Sequence, residues 1–299
     1  MDIRNLRVFV EVIRQGGFSR AAKTVFTTQS AVSKAVKQLE EEVGLPLLDR
    51  GTSRSEPTEA GEIVYRRALT MLAERNDLIS ELNELRGLQR GILRLGLPAV
   101  GSNTLFAPIF TAYRRRYPGI EIRLVEYGSK RLEEMILAGD IELAASLLPV
   151  SDAFEWQDVR REPIDLLIPS DHPLAARDRI TMAELTGIPF ILFGEGFALN
   201  PIILDNCRRS GFLPDIVGRS SQIDFIVGLV ASGLGIAFLP RLIMHQREHE
   251  GTRSIPIEDD GMVWHIALIW RRGSYLSHAA QAWIDLVIEH HSLIKANRM

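Results

Sequence analysis

Gln29, Ser30, Ser33, Lys34 and Lys37 follow one another at spacings of one, three, one and three residues, which on an α-helix places them on one face. The face offers amide and hydroxyl groups at its start and two ammonium groups further on, with no carboxylate among them. Such a surface suits duplex DNA, because short polar side chains match base edges in the major groove and lysines match phosphates. The plain alternative is a solvated helix face. Charge distribution bears on the choice. The formal net charge is −3 overall, which excludes a uniformly basic nucleic-acid coat, yet residues 1–39 hold seven Lys/Arg against Asp2 and Glu11, a local charge of +5. Glu40, Glu41 and Glu42 would be repelled by phosphate, so contact is expected only along the N-terminal half of this helix.

Other residue sets with chemical potential are weaker. His245 and His249 stand four apart, a spacing that can hold a metal on a helix, but Glu248 does not complete a zinc-protease motif and a solvated face is expected. His290 and His291 are expected to be exposed. Ser232-Gly233-Leu234-Gly235 and Gly194-x-Gly196 complete neither a phosphate-binding loop nor a dinucleotide fingerprint. Catalysis therefore has no support in the sequence, and neither a metal nor a cofactor is expected. Cys207 is the single cysteine; it permits no intramolecular disulfide and reads as a small buried apolar residue in a reducing compartment. The N-terminus lacks the apolar core of a signal peptide, and no run approaches the ~18 apolar residues of a membrane span. A soluble cytoplasmic protein with no membrane partner is expected.

At 299 residues and 46% hydrophobic content, two or three domains are expected. Leu6, Phe9, Val10 and Ile13 form the stripe of a first helix that Gly16-Gly17 ends, and Ser19 is placed to cap a second helix containing Ala21, Ala22 and Val25. Thr27 or Thr28 caps a third, with Ala31, Val32, Ala35, Val36 and Leu39 facing inward.

Read together, Leu6, Phe9, Gly17-Phe18-Ser19-Arg20-Ala21-Ala22, Gln29-Ser30-Ala31-Val32-Ser33, Leu39-Glu40, Gly44, Leu47-Leu48-Asp49-Arg50 and Pro57-Thr58-Glu59-Ala60-Gly61 strongly resemble the winged helix-turn-helix of LysR-type transcriptional regulators. The resemblance covers the first 60 residues closely and the rest by architecture. It implies that Gln29, Ser30, Ser33 and Lys34 read the groove, that Lys37 meets a phosphate, that Arg50 and Arg54 make wing contacts, and that Ser19 is a further DNA contact. Three departures stand out: Ser30 replaces the usual Pro, Leu48 the usual Phe, and Arg54 is offset by one from the usual second wing arginine.

From Thr58 to about Leu88 a long helix of about 46 Å is permitted. Along it Val64, Ala68, Met71, Leu78, Leu82 and Leu85, with Arg75 as a cationic member, repeat at spacings of four and three. This heptad seam calls for a second copy of the same helix, giving a homodimer matched to an inverted-repeat operator; packing on the chain's own C-terminal part is the alternative. The resemblance further implies pairing of dimers into tetramers, and contact with RNA polymerase.

The remainder alternates strand and helix, the mark of an α/β fold with a largely parallel sheet. "GILRLGLPA" precedes a helix opened by Ser102-Asn103, and "GIEIRLVEYG", with Ile120, Ile122 and Leu124 on one face, precedes a helix capped by Ser129. "PFILFGEG" precedes a helix capped by Asn200-Pro201, and a last helix is expected over Ser274–His291. Crossing strands near 148–161 and 257–264 would join two subdomains around a cleft, resembling the periplasmic-binding-protein-like effector domain of the same family. In open α/β sheets ligands lie beyond the carboxyl ends of strands, beside helix N-termini. Here those turns carry Ser102-Asn103, Gly128-Ser129, Gly194-Glu195-Gly196 and Ser221-Gln222, with Tyr127, Phe193 and Phe197 as apolar walls. Carrying over the family's effector positions points to Ser102, Asn103, Ser129, Phe197 and Gln222.

The expected organisation is thus a DNA-binding domain at 1–60, a dimerisation helix at 61–88, and an effector domain at 89–299. Within the last, subdomain I takes 89–160 and 265–299 and subdomain II takes 161–264. The function expected is a regulator whose cleft binds a small, carboxylate-bearing metabolite. The alternatives are an α/β small-molecule-binding protein or enzyme with an incidental helical domain, or a transport solute-binding protein, which leaves the N-terminal unit unexplained.

Overall fold

A computed structural model of the protein describes residues 1–49, 55–85, 91–246 and 249–296. The chain divides into two compact units, with the boundary beyond the fourth helix.

The first unit is helical. Helix α1 (Ile3–Gln15) starts where the Asp2 carboxylate accepts from the Arg4 amide at 2.8 Å and stops at Gly16, whose φ of +64° suits a residue without Cβ. Its Leu6, Phe9, Val10 and Val12 are buried. Helix α2 (Phe18–Thr24) begins after Gly17, so Ser19 lies within its first turn and is not the cap expected. Helix α3 (Gln29–Val43) is capped by Thr28, whose Oγ1 accepts from the Ala31 amide at 3.2 Å. Val32, Val36 and Leu39 point into the core; Ala31 is exposed, contrary to expectation, because it lies about 100° around the helix from Val32. Leu48 and Pro57 form an antiparallel bridge at the base of a wing. Helix α4 (Glu59–Leu85) then sends Ala68 into the same core, with Val64, Leu69 and Leu72 packed around it.

The second unit is α/β. Its first half contains β1 (Ile92–Leu97), α5 (Ser102–Arg116), β2 (Glu121–Glu126), α6 (Ser129–Leu137) and β3 (Leu143–Leu147), with β1 paired in parallel to both β2 and β3. Strand β4 (Phe154–Pro169) leads into the second half, which holds β5 (Pro189–Phe193), α7 (Leu199–Arg209), β6 (Asp215–Ser220), α8 (Ile223–Ala231), β7 (Ala237–Pro240), α9 (Arg241–Met244) and β8 (Thr252–Pro256). Strand β9 (Val263–Arg271) returns, and α10 (His278–Ala296) packs against α5, where Trp283 meets Phe110 edge-on at 4.9 Å and the Tyr113 hydroxyl donates to the Ala279 carbonyl.

The sheet is mixed where a largely parallel one was expected. Strands β4 and β9 run antiparallel from one half to the other, so every pairing they make is antiparallel. They also lie several residues beyond the expected crossings at 148–161 and 257–264. Over Phe154–Pro163 strand β4 pairs with β9, and from Ile164 it pairs with β7, with β8 joining from Asp165. Leu124 is 41% exposed on the edge strand β2, while Ile120 and Ile122 pack on the core as expected.

Candidate nucleic-acid interface and effector cleft

In the first unit, α3 presents Gln29, Ser30, Ser33, Lys34 and Lys37 to solvent together, and its first turn holds no acidic residue. The Thr28 and Ser30 hydroxyls lie 3.1 Å apart, so the capping residue also orients the first hydroxyl of the face. Ser19 is exposed on α2.

Two of the three following glutamates are turned away from this surface by local structure. Glu40 accepts from the Leu47 amide at 2.8 Å and holds the chain at the start of the wing, and Glu42 pairs with the N-terminal ammonium. Glu41 lies 3.5 Å from Lys37, both being well exposed. A pair of that kind contributes little and yields readily to a phosphate. Arg50 and Arg54 lie outside the described residues.

In the second unit the sheet explains where the polar turns meet. Leu97 is in register with Glu126 on neighbouring parallel strands, so the N-termini of α5 and α6 emerge at the same edge. Phe193 is in register with Ser220, which brings the N-termini of α7 and α8 to one edge in the same way. The two edges touch at Gly128, where a Cβ would lie 2.5 Å from the Gly196 carbonyl oxygen. Tyr127, Ser129 and Phe197 are thereby brought together. Tyr127 is exposed, and Phe197 stacks on Phe193 with ring centroids 5.2 Å apart.

The polar residues of these turns divide into scaffold and free groups. Ser102 is buried and its hydroxyl donates to the Pro98 carbonyl, and Ser129 is also buried. Asn103 and Gln222 are exposed, with Gln222 at the N-cap of α8 and its own amide held by Ser220 Oγ at 3.0 Å. Asn200 is not the helix cap expected; Ala198 is. Instead the buried Asn200 side chain accepts from the Phe193 amide at 3.1 Å and donates to the Phe193 and Gly194 carbonyls, clamping the turn after β5. Its position seven residues beyond Phe193 carries no pattern that would have marked it. Thr104 Oγ1, on α5, lies 2.6 Å from Gln246 Oε1 beyond α9, a polar contact between the halves.

The remaining sequence candidates find structural roles. Helix α9 ends at Met244, so His245 and His249 share no helix, and among the described residues no cluster of three His, Cys, Asp or Glu suits a metal ion. His291 is buried rather than exposed, because it falls on the inward face of α10 with Val287; burial lowers its pKa, and Nδ1 bonds the Val287 carbonyl at 2.8 Å. Cys207 is fully buried and its thiol is pushed up to about 11, so it is protonated at neutral pH and a poor nucleophile.

Comparison with known proteins gives two family matches that together span nearly the whole chain. Residues 3–62 match the bacterial regulatory helix-turn-helix protein, lysR family, and residues 86–292 match the LysR substrate binding domain. The HTH-type transcriptional regulator YwbI of Bacillus subtilis is 36% identical over 286 residues, 95% of each chain. The transcriptional dual regulator GltC of the same organism is 29% identical over 298 residues, 99% of each chain. Among solved structures, a full-length OxyR variant from Pseudomonas aeruginosa shares the fold with a TM-score of 0.65 at 24% identity, covering 96% of this chain and 94% of that one. The chain belongs to the LysR family of DNA-binding transcriptional regulators, with an N-terminal helix-turn-helix domain and a C-terminal effector-binding domain.

Proposed function

We propose that residues 1–60 read an inverted-repeat operator through the exposed face of α3, that α4 pairs two copies, and that the turns meeting at Gly128 and Gly196 bind a small carboxylate-bearing metabolite. The observation that carries the effector assignment is the contact between the turns that open α6 and α7, with the N-termini of α5 and α8 emerging at the same two edges. Backbone amides there favour an anion, Asn103 and Gln222 supply free hydrogen-bonding groups, and Tyr127 and Phe197 supply apolar walls. Ser102 and Ser129 act in this reading through the turns they hold. The halves take the boundaries 89–160 with 265–299, and 161–264. The protein works in the cytoplasm as a regulator and not an enzyme, with RNA polymerase as a further partner and dimers pairing into tetramers.

Effector and operator are linked through the arrangement of the paired DNA-binding units. A coupling of roughly 1–3 kcal/mol changes operator affinity about 5- to 150-fold, and the operator changes effector affinity by the same factor. The test is selection of fragmented genomic DNA by the full-length protein, followed by titration of small carboxylates against the selected site. Enrichment of one inverted repeat, with an affinity that responds to one compound, supports the assignment. Binding indifferent to sequence would refute it.

Two substitutions separate the roles on α3. Lys37→Ala is expected to weaken selected and random duplexes alike and to reduce the log–log salt slope by about one unit, since a phosphate contact releases counterion without reading sequence. Gln29→Ala is expected to relax preference at one base pair by about 1–3 kcal/mol in a binding-site selection.

A further inference from the structure

Phe26 stands between α2 and α3 with a φ of +54°, the one non-glycine residue with positive φ among the described residues. The turn there is a helix C-terminal motif closed by two backbone bonds, Phe26 N–H to the Lys23 carbonyl at 3.4 Å and Thr27 N–H to the Ala22 carbonyl at 2.9 Å. This motif places its left-handed residue where Gly or Asn is ordinarily found, because neither pays the full steric penalty of a bulky side chain. Burial does not account for the phenylalanine either, as its side chain is 96% exposed. A strained backbone carrying an aromatic ring into water is unfavourable on both counts, and such outliers collect where a ligand is met.

We propose that Phe26 is an apolar DNA contact, meeting a thymine methyl group beside the bases faced by α3. The ring lies two residues before the Thr28 cap, at the end of α3 whose polar side chains enter the groove, and apolar contact with the thymine methyl is an established form of major-groove readout. Its surroundings suit a polyanion. Phe26 shares a groove of about 680 Å³ with Arg4, Arg7, Ala31 and Gln38, in which the sole carboxylate is Asp2, bound to the Arg4 amide and 3.4 Å from the Arg4 guanidinium. A second protein would not explain the Arg7 cation in the same groove as directly as DNA does. This inference rests on the assignment of α3 as the reading helix.

The experiment uses the full-length protein and a duplex selected from a randomised pool. Each thymine is replaced in turn by deoxyuridine, which removes only the methyl group. Wild-type protein is expected to lose about 5-fold in affinity at one flanking position, the low end of single-base effects. Phe26→Gly is expected to bind the unmodified duplex about 5-fold more weakly and to be indifferent to uracil at that position. Because glycine relieves the positive φ, this variant should unfold at no lower temperature than the wild type, which separates loss of contact from loss of fold. Phe26→Ala, which removes the ring and keeps the strain, should match Phe26→Gly in binding. Equal affinity of wild type and Phe26→Gly would overturn the proposal and leave a protein partner as the reason for the exposed ring. A loss with no sensitive thymine would also overturn it. If Gln29→Ala leaves base preference unchanged as well, the assignment of α3 fails; if only Phe26 is silent, this inference fails alone.

Discussion

In the proposed pairing through α4, Leu78→Glu is expected to turn the dimer into a monomer and to lower affinity for an inverted repeat by about 10²- to 10⁴-fold, the loss that follows when two linked binding events become independent. The reasoning starts from exposure. Met71, Leu78 and Leu82 are 45%, 56% and 46% exposed on one long helix, and Ile79 widens the same apolar strip. In that pairing, glutamate at the centre of the strip takes a carboxylate out of water on each copy. The expected seam is shorter than its sequence repeat, however. Ala68 is 1% exposed, so it belongs to the core of its own unit and is unavailable to a second helix, and Val64 packs partly buried against the same core. Leu85 ends α4, and its side chain lies outside the described ones. Sedimentation velocity reads the association state directly, and a variant that remains dimeric would refute the seam.

The second large effect concerns stability. Asp165 on β4 is 2% exposed, and Arg241 at the start of α9 grips it through two bonds, Nε to Oδ2 at 2.7 Å and Nη2 to Oδ1 at 2.9 Å. The hydrogen bond to Asp165 raises the pKa of Arg241, so the guanidinium keeps its charge across the accessible pH range. Arg241→Ala leaves a carboxylate inside the sheet with its paired cation gone, at an expected cost of about 3 kcal/mol, the lower end for broken buried pairs because Arg241 is partly exposed. Adding Asp165→Asn removes the stranded charge and should recover most of that loss. Urea unfolding of the two single variants and the double variant closes the cycle. Additive losses would show that the two side chains contribute independently.

The parts of this protein that are legible in the sequence are those governed by periodicity. Leu6, Phe9 and Val10 mark α1, and Val32, Val36 and Leu39 mark the inner face of α3, because a repeat near 3.6 residues leaves little choice of face. Local bonds that compete with one another are not legible. Ser19 has the chemistry of a cap, but Gly17 leaves the turn first; Asn200 resembles a cap, but its amide is taken by the turn after β5. The start of the α4 repeat looks like the rest, since an alanine or valine at a seam is spelled the same way whether it meets its own core or a partner's. Phe26 escapes notice because no spacing rule flags a single backbone dihedral. The burial of His291 is equally hidden, because a charged neighbour such as Glu289 says little about which side of a helix faces in.

Gly61 sits so close to the preceding segment that a Cβ would lie 2.0 Å from the Leu47 carbonyl oxygen, and Ala68 and Leu72 continue the same packing further along the helix. Helix α4 and the helix-turn-helix are therefore one casting. Inserting a single residue in α4 beyond Leu72 would turn everything after it by about 100° relative to the DNA-binding domain. That fixes where the chain can be recombined with its relatives. A chimera joined after Leu85 is expected to exchange sensors and leave the packing of α4 on the helix-turn-helix intact, whereas one joined between Thr58 and Leu72 cuts through that packing before any metabolite has been tried.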